Sequence, residues 1–532
     1  MFEWTPYVSH GGILRISATS CCGQYEVASE AGQFFVLRQT QDGYEESGRG
    51  RAHPKVVEIY AALVIKHQCD EHANRGERPE LDDSPQEGDG VANPRDCPPA
   101  ATIDPLPITT EEEGTPPVII HDDVQDAAAL RDAMTTAVVA KCAKWGFPLP
   151  APVEAAFRTV PRHLFAPEVA PDKAYALDLV VVKRDEHGAL ISTMSAPEIQ
   201  AMQLVQADIS PGMRVLEIGS GGFFASLLSE LIGPAGQVTT MDIDADVTSR
   251  ARDCLDAAGY RQVRVVTADA EHGWEANAPY DRIMVTVGAW DIPPAWREQL
   301  AKGGRIVVPL RMKGITRSLA LERTNDHLVS LSQGVCGFVP IQGAGQHDER
   351  LWLLNGEQVG LRFDDGNFDD PHKLDGVLAS EPAAAWSGVT VTPAEPFPDL
   401  PLWMATALPG FCTMTVNTPE GEDPGILSEE GGRWFPYAAV QGDSFAHLSI
   451  RPAGEGSDEF GAHGYGPHGS EVAQAIVEQI QVWDRDYRGG PGPQFAVWPI
   501  GTPAEVLPKG GVITKQHTHA TIYWPDAPFI GR

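Results

Sequence analysis

The feature that most constrains the fold is an alternation of strand and helix patterns within residues 118–325. Five hydrophobic runs have the length and composition of strands, and they begin at Arg214, Gly236, Val263, Tyr280 and Gly304. Helical patterns at 223–232 and 247–258 separate the first three of them. Strands that alternate with helices through short loops form a mostly parallel sheet covered on both faces. The sequence therefore predicts an α/β domain of Rossmann-like type at 118–325.

The rest of the chain divides by composition into three regions. Residues 1–68 contain three short strand patterns and a helical pattern at 54–67, which predict a small α+β module. Residues 69–117 are rich in Asp, Glu, Pro and Gly and lack apolar periodicity, which predicts a solvated, disordered linker. Residues 326–532 mix short strands and Gly- and Pro-rich connections with one helix at about 470–487. We interpret this last region as a C-terminal α+β domain.

Charge and cysteine content exclude some classes of protein. The 532 residues carry a formal charge of −33, which argues against a nucleic acid or an anionic membrane as partner. No apolar run approaches the roughly 20 residues that cross a bilayer, and the first residues show no signal-peptide pattern. The 8 cysteines form no CxxC pair, which is typical of reduced thiols. We expect a cytoplasmic location; the sequence leaves the oligomeric state open.

A glycine turn and three carboxylates mark the predicted binding site. The turn Glu217-Ile-Gly-Ser-Gly-Gly follows one strand and opens a helix. Asp242 ends the next strand, 23 residues after Gly219, and Asp269 ends the third. Ligands of such sheets bind at the carboxyl ends of the strands. A carboxylate at Asp242 can accept hydrogen bonds from both hydroxyls of a ribose.

The same residues discriminate between two cofactors. A dinucleotide site requires a small third residue in GxGxxG, and this position is Phe224. Glu217 would repel a pyrophosphate but suits the ammonium group of S-adenosylmethionine, and Asp269 can bind an adenine amino group. Each acid alone is also a common turn or cap residue; together they favour S-adenosylmethionine. The residues predicted to hold it are Glu217, Gly219, Ser220, Gly221, Asp242, Ile243, Asp269 and Ala270.

Six stretches of the sequence make a resemblance specific. They are Val160-Pro-Arg-His-Leu-Phe-Ala-Pro, Thr193-Met-Ser-Ala-Pro, Val215-Leu-Glu-Ile-Gly-Ser-Gly, Thr267-Ala-Asp-Ala, Ala278-Pro-Tyr-Asp-Arg-Ile and Gly303-Gly-Arg-Ile-Val-Val-Pro. With them, residues 122–325 resemble the protein-L-isoaspartate O-methyltransferases. The resemblance implies a class I methyltransferase fold and transfer of a methyl group from S-adenosylmethionine to a carboxylate. It also implies that Ser195 lies in the loop that closes over the substrate carboxylate, with Met194 and Ala196 beside it.

The resemblance extends to one branch of that family. The stretches Val287-Gly-Ala-Trp-Asp-Ile-Pro-Pro-Ala-Trp and Val335-Cys-Gly-Phe-Val-Pro-Ile-Gln-Gly-Ala-Gly, and the long C-terminal region, resemble the "methyltransferase, FxLD system" group and its lanthipeptide, graspetide and lasso-peptide relatives. This implies an aspartate in a ribosomally synthesised (RiPP) precursor peptide as substrate, and an aspartimide or isoaspartate as product. The C-terminal domain would bind the peptide. The alternatives are a repair methyltransferase for isoaspartyl proteins and a non-catalytic peptide-binding protein.

Three further side chains have either a functional or a packing role. Trp290 follows the fourth strand, so it either lines a substrate groove or packs in the interior. His517 and His519 lie in a stretch that resembles one strand, 513–524, where alternation places both on one face. Because no third ligand is visible, we interpret them as a packed or solvated pair. The sequence predicts no metal site.

Overall fold

A computed structural model describes five strands within residues 5–50, and residues 121–525 except 187, 325, 356–357, 366–369, 393–394, 417–432 and 455. The chain forms two compact units, one of residues 1–118 with 418–424 and one of residues 119–417 with 425–532. None of the described helices combines the length and apolarity that crossing a membrane requires.

The first unit contains an antiparallel sheet with the strand order β1-β5-β4-β3-β2. Its strands are β1 (Thr5–Pro6), β2 (Arg15–Thr19), β3 (Tyr25–Glu30), β4 (Gln33–Thr40) and β5 (Gly43–Gly50). Strands β2, β3 and β4 confirm the three predicted strand patterns. The polar β5 has no apolar alternation and was not predictable from its own residues. The helix predicted at 54–67 and the linker predicted at 69–117 lie outside the described residues.

The second unit is built on a ten-stranded sheet with the order β10-β9-β8-β11-β12-β13-β14-β22-β24-β23. Its strands are β8 (Arg214–Ile218), β9 (Gln237–Asp242), β10 (Arg264–Thr267), β11 (Tyr280–Val285), β12 (Leu300–Met312), β13 (Ile315–Arg323), β14 (Leu328–Val335), β22 (Gln494–Pro499), β23 (Gly511–Thr514) and β24 (Thr518–Tyr523). The first five in the spatial order pair in parallel, and the remaining pairs are antiparallel.

Helices follow the parallel strands as the sequence predicts. The α-helices of the described residues are α1 (His121–Lys144), α2 (Ala151–Thr159), α3 (Pro171–Ala174), α4 (Pro197–Ala207), α5 (Phe223–Ile232), α6 (Ala245–Ala257), α7 (Pro294–Gln299), α8 (Asp399–Ala407) and α9 (Gly469–Asp486). Helix α5 is apolar and almost wholly buried, and the Asp244 carboxylate caps α6 by accepting hydrogen bonds from two of its N–H groups. This arrangement confirms the predicted Rossmann-like α/β fold.

A seven-stranded antiparallel sheet accompanies the large one. It has the order β15-β16-β18-β19-β20-β21-β17, with the strands β15 (Arg350–Leu354), β16 (Val359–Phe363), β17 (Ala383–Val391), β18 (Phe411–Val416), β19 (Arg433–Gln441), β20 (Ser444–Gly454) and β21 (Ser457–Tyr465). Helix α9 packs on it with the buried side chains Val472, Ile476, Ile480 and Trp483, whose helical spacing places them on one face. A separate hairpin joins β6 (Val180–Arg184) to β7 (Leu190–Met194).

The large sheet continues past residue 325, the predicted end of the methyltransferase domain. Strand β14 pairs with β13, β22 pairs with β14, and β24 pairs with β22. The domain boundaries stay a prediction. One expectation is wrong: the stretch 513–524 forms two strands, β23 and β24, because the chain turns between Thr514 and Thr518. His517 and His519 therefore do not share the face of one strand.

Candidate active site

The glycine turn between β8 and α5 is packed on one side and open on the other. Gly219 has φ of 99°, and a Cβ atom there would lie 2.5 Å from Thr286 Oγ1 at the end of β11. Only glycine meets both requirements. At Gly221 a Cβ atom would meet nothing within 4 Å. The turn thus rests on the sheet at Gly219 and leaves room for a ligand at Gly221.

Asp242 is oriented by main-chain donors on either side of it. Its Oδ2 accepts a hydrogen bond from Ser220 N (3.0 Å) and its Oδ1 accepts one from Asp244 N (3.0 Å). Burial raises the pKa of this carboxyl. Each carboxylate oxygen retains a lone pair, so Asp242 can still accept hydrogen bonds from two ligand hydroxyls.

Glu217 carries a buried carboxyl oxygen for which the described residues supply no hydrogen bond. Its side chain lies in the second-last position of β8 with 1% exposed, and burial raises its pKa to about 8. In the described part of the chain, neither Glu217 Oε2 nor the buried Ser220 Oγ has a hydrogen-bond partner. A buried polar atom without a partner is costly, so both atoms fit a bound group that supplies donors. A cationic amine beside Glu217 meets this requirement.

Asp269 is held from two sides. Its Oδ1 accepts a hydrogen bond from Glu271 N (2.9 Å), and its Oδ2 accepts one from Ala344 N (2.9 Å). Ala344 belongs to the 3₁₀ turn Gly343–Gly345, so this distant segment closes against the end of β10. The carboxylate keeps a free lone pair on each oxygen. The predicted contact of Asp269 with an adenine stays a prediction.

A narrow cavity is lined by four of the eight residues predicted to hold the cofactor, while Glu217, Ser220, Gly221 and Asp269 do not line it. The four are Gly219, Asp242, Ile243 and Ala270, and Ser192 of the β6–β7 hairpin and Ile341 line the same cavity. Ile243 is 39% exposed. An apolar side chain beside carboxylates suits a ligand with an aromatic ring and polar edges.

The predicted catalytic Ser195 lies in the two-residue loop between β7 and α4. The loop is fixed by Arg162, whose side chain is fully buried and whose Nη2 donates to Ser195 O (2.9 Å). The same guanidinium donates from Nε to Ala174 O (2.7 Å) and from Nη1 to Gln200 Oε1 (3.0 Å). Burial lowers the pKa of Arg162 to about 9. The main chain of Ser195 is therefore held, while its hydroxyl makes no hydrogen bond that the structure describes.

Comparison with known proteins identifies the family of this chain. Residues 133–346 match the family model described as protein-L-isoaspartate(D-aspartate) O-methyltransferase (PCMT). The protein-L-isoaspartate O-methyltransferase of Methanopyrus kandleri is 37% identical over 194 residues, which are 36% of this chain and 83% of that protein. Its counterpart in Methanococcoides burtonii is 38% identical over 189 residues, 35% of this chain and 90% of that protein. The chain belongs to the protein-L-isoaspartate O-methyltransferase family.

Solved structures of this family are also similar. One protein-L-isoaspartate O-methyltransferase covers 74% of this chain and 99% of its own, with 17% identity and a TM-score of 0.40. A Plasmodium falciparum protein described as a putative member, in complex with S-adenosyl-L-homocysteine, covers 39% of this chain and 97% of its own, with 15% identity and a TM-score of 0.33.

Family membership identifies the cofactor and the type of reaction. The chain is an S-adenosylmethionine-dependent carboxyl O-methyltransferase. The unpartnered Glu217 Oε2 and the open side of Gly221 fit this cofactor. Membership favours an enzyme over the alternative of a non-catalytic peptide-binding protein. The assignment of individual contacts to the cofactor stays a prediction.

The three predicted substrate contacts lie in different surroundings. Met194 is 2% exposed and packs in the core beneath the loop, while Ala196 is half-buried at the start of α4. Trp290 stacks on His347 with 3.7 Å between the ring centroids, and Lys515 Nζ lies 4.0 Å above its ring. It also lines a polar cavity of about 310 Å³. Met194 therefore supports the loop from below; the roles of Ala196 and Trp290 stay predictions.

The two C-terminal histidines have separate partners. His517 Nε2 lies 2.8 Å from Glu271 Oε1, and His519 Nδ1 lies 3.1 Å from Thr514 Oγ1. Across the described ranges, no group of three or more His, Cys, Asp or Glu side chains has the geometry to hold a metal ion.

Sequence reasoning missed the residues that reach the site from a distance. Arg162 and the segment 340–342 lie in stretches that carry the family resemblance, but no role was predicted for them. Lys183 in the β6–β7 hairpin was also missed: its Nζ donates to Asp244 Oδ2 (2.6 Å) and to Asp246 Oδ2 (2.7 Å). These contacts join residues that are far apart along the chain, so no local pattern signals them.

Proposed function

We propose that the chain methylates the side-chain carboxylate of an isoaspartyl or aspartyl residue in a peptide, with Ser195 as the residue that orients this carboxylate. Glu217, Asp242, Asp269 and the glycine turn would hold the cofactor, which supplies an electrophilic methyl group when it is bound. The observation that carries the proposal is the unpartnered, buried Glu217 Oε2 beside an open glycine turn. A peptide bearing isoaspartate is the first candidate substrate, because the relatives reported above are protein-L-isoaspartate O-methyltransferases.

The main task of the protein in this reaction is to position the substrate carboxylate next to the methyl donor. A carboxylate is ionised at neutral pH, so no general base is needed. The Ser195 hydroxyl can donate one hydrogen bond to the carboxylate, while Arg162 holds the Ser195 main chain in place. The β6–β7 hairpin, tied to α6 through Lys183, covers the site and limits the access of water. Orientation of the two reacting groups at short range supplies most of the rate.

A second candidate is an ordinary aspartate in a ribosomally synthesised precursor peptide. Support comes from the residues after 346, which the family model does not match but which fold together with the domain. Methylation of such an aspartate would give an ester. The backbone nitrogen of the next residue then attacks the ester carbonyl, methanol leaves and a succinimide forms; water opens that ring to aspartate or isoaspartate.

Two synthetic peptides that differ only in aspartate or isoaspartate at one position would separate the candidates. Each is incubated with the full-length protein and S-adenosylmethionine and followed by mass spectrometry. We expect a gain of one methyl group on at least the isoaspartyl peptide. A methyl gain followed by methanol loss on the aspartyl peptide would favour the precursor-peptide substrate. No methyl transfer to either peptide, by a protein that binds S-adenosylhomocysteine, would contradict both candidates.

The role of Ser195 is tested by Ser195→Ala. We expect the single-turnover rate of methyl transfer to fall about 10-fold or more, because the variant cannot orient the carboxylate. The dissociation constant for S-adenosylhomocysteine should change less than about threefold. Ser229→Ala, on the outer face of α5 with its hydroxyl bound to Gln262, is the matched control. Equal single-turnover rates for Ser195→Ala and the wild type would refute the role.

A further inference from the structure

A large apolar groove, which we call the α4–β14 groove, lies beside the candidate active site. Its volume is about 860 Å³, and it is lined by residues from α4, β13, β14 and the C-terminal part of the second unit. Five aromatic side chains dominate its walls, namely Trp145, Phe147, Phe397, Phe435 and Tyr437. Trp145 is 42% exposed, so this surface is not closed by the packing that the structure describes.

Two elements of the groove lead directly to the active site. Ile199 lies in the first turn of α4, four residues after Ser195. Strand β14 runs parallel to β12, because the pairings β12–β13 and β13–β14 are both antiparallel. Its end therefore lies at the same edge of the sheet as the glycine turn. Gly337 lines the groove, and Pro340 lines the cofactor cavity three residues later.

The groove also offers an unpaired strand edge. Strand β14 pairs with β13 along its length, but of the described strands β22 reaches it only at Leu328 and Val329. Beyond that point Leu331 is 51% exposed and Val335 is 56% exposed. An exposed apolar strand edge is a template for an extended chain, which adds main-chain hydrogen bonds.

The charge of the groove is opposite to that of the chain. Its lining residues include the cations Lys144 and Arg317 and no carboxylate, although the chain carries −33 overall. Asp399, which accepts a hydrogen bond from Gln333 Nε2 (3.3 Å), offsets part of the positive charge.

Two polar atoms of the groove lack partners. Arg317 is 5% exposed and donates from Nη2 to Pro398 O (2.5 Å) and from Nη1 to Thr316 O (3.1 Å). Its Nε and the buried Gln333 Oε1 have no hydrogen-bond partner in the described part of the chain. One donor and one acceptor thus remain for a peptide group, since buried polar atoms are normally satisfied.

We infer that the α4–β14 groove binds an extended segment of the methyl-accepting peptide, adjacent to the residue that receives the methyl group. The segment has apolar or aromatic side chains for the walls and an acidic side chain for the cations. A peptide that presents a carboxylate at Ser195 passes the start of α4, which is why we assign the substrate rather than a second copy of the chain to the groove. The inference rests on the proposed function for its choice of occupant.

The test uses two synthetic isoaspartyl peptides with the full-length protein. One carries Leu, Phe, Pro and Glu beside the isoaspartate, and the other carries Gly and Ser. The variants are Val335→Glu in the groove and, as a matched control, Val506→Glu, which is 51% exposed and does not line the groove. We expect kcat/KM of the wild type to favour the apolar peptide about 10-fold, mainly through KM, and Val335→Glu to reduce this preference to near unity. Val506→Glu should keep the wild-type preference.

Direct binding of fluorescently labelled peptide, measured in parallel, separates the possible failures. Equal kcat/KM for both peptides in all three proteins overturns the inference and leaves the proposed function intact. Binding that Val335→Glu weakens, without methylation of either peptide, supports the groove and contradicts the proposed substrate. Absence of both binding and methylation overturns both. A dimer that Val335→Glu dissociates, with no effect on KM, overturns the inference in favour of a second copy.

Discussion

At the scale of single residues, Glu217 couples the stability of the protein to the binding of its cofactor. Burial raises the pKa of its carboxyl from the ordinary 4.5 to about 8, so the free protein holds a proton there at neutral pH. A cation placed beside it would favour the ionised form. Glu217 thus favours binding of the cofactor and lowers the stability of the free protein.

The substitution Glu217→Gln tests this coupling. Between pH 4.5 and 8 the folded wild type binds a proton that the unfolded chain has released, so its stability falls as the pH rises through this window. Glutamine cannot ionise, so the stability of the variant should not decrease in this window. At pH 7 the free energy of unfolding of the variant should exceed that of the wild type by roughly 2–3 kcal/mol. Binding of S-adenosylhomocysteine should weaken at least about 10-fold. Denaturant unfolding over this pH range and calorimetric titration measure the two effects.

The control for this prediction is the exposed Glu275. Glu275→Gln should reproduce the pH dependence of the wild type. A pH dependence of Glu217→Gln that matches the wild type would show that the carboxyl is ionised in the free protein, and the coupling would be lost.

Arg162 acts through the loop that it holds. Its planar guanidinium donates to four separate acceptors, one of which is Ser195 O, and a lysine ammonium cannot reach all four. Arg162→Lys should lower kcat about 10-fold or more while the affinity for S-adenosylhomocysteine changes less than about threefold. Arg158→Lys, in an exposed pair with Glu154, is the control. A parallel loss of cofactor affinity and kcat would indicate general damage to the fold instead of mispositioning of Ser195.

At the scale of elements, the β6–β7 hairpin and the start of α6 are linked by charge. Lys183 bridges Asp244, the capping residue of α6, and Asp246 in its first turn. Removing the link in Lys183→Met should raise the dissociation constant of S-adenosylhomocysteine about two- to fivefold at low salt. At 1 M salt the difference should vanish, because ion pairs at the surface are screened. The control is Arg184→Met, at the next position in the hairpin. Its dissociation constant for S-adenosylhomocysteine should equal that of the wild type at both salt concentrations.

The elements themselves were largely predictable from local patterns. Strand β8, helix α5 and helix α9 have their predicted bounds to within a residue, because apolar periodicity and the flanking glycines define them. The carboxylates of Glu217, Asp242 and Asp269 were predictable as site residues because each lies at or just after the end of a predicted strand. The pairing of β14 with β22 joins residues more than 160 positions apart, so nothing in either strand could signal it. The contact of Ala344 with Asp269 joins residues 75 positions apart, so it was not predictable from local sequence either.

At the scale of the whole molecule, one hydrophobic core extends across the predicted domain boundary. It contains Ile218 and Ile283 from the parallel strands together with Phe495, Ile513 and Ile522 from the C-terminal strands. A core shared in this way makes the stability of the active site depend on residues that lie far from it. The C-terminal region therefore stabilises the sheet as well as contributing walls to the α4–β14 groove.

Substitution of a C-terminal core residue tests this dependence. Ile522 in β24 is fully buried, so Ile522→Ala should lower the free energy of unfolding by about 2–4 kcal/mol. If residues 119–525 unfold as one cooperative body, the urea midpoint for loss of S-adenosylhomocysteine binding should fall together with the fluorescence midpoint. Val512→Ala in the neighbouring β23, where the side chain is 43% exposed, should shift neither midpoint appreciably. A binding midpoint that stays at the wild-type value in Ile522→Ala would instead show that the strands after β14 unfold independently of the site.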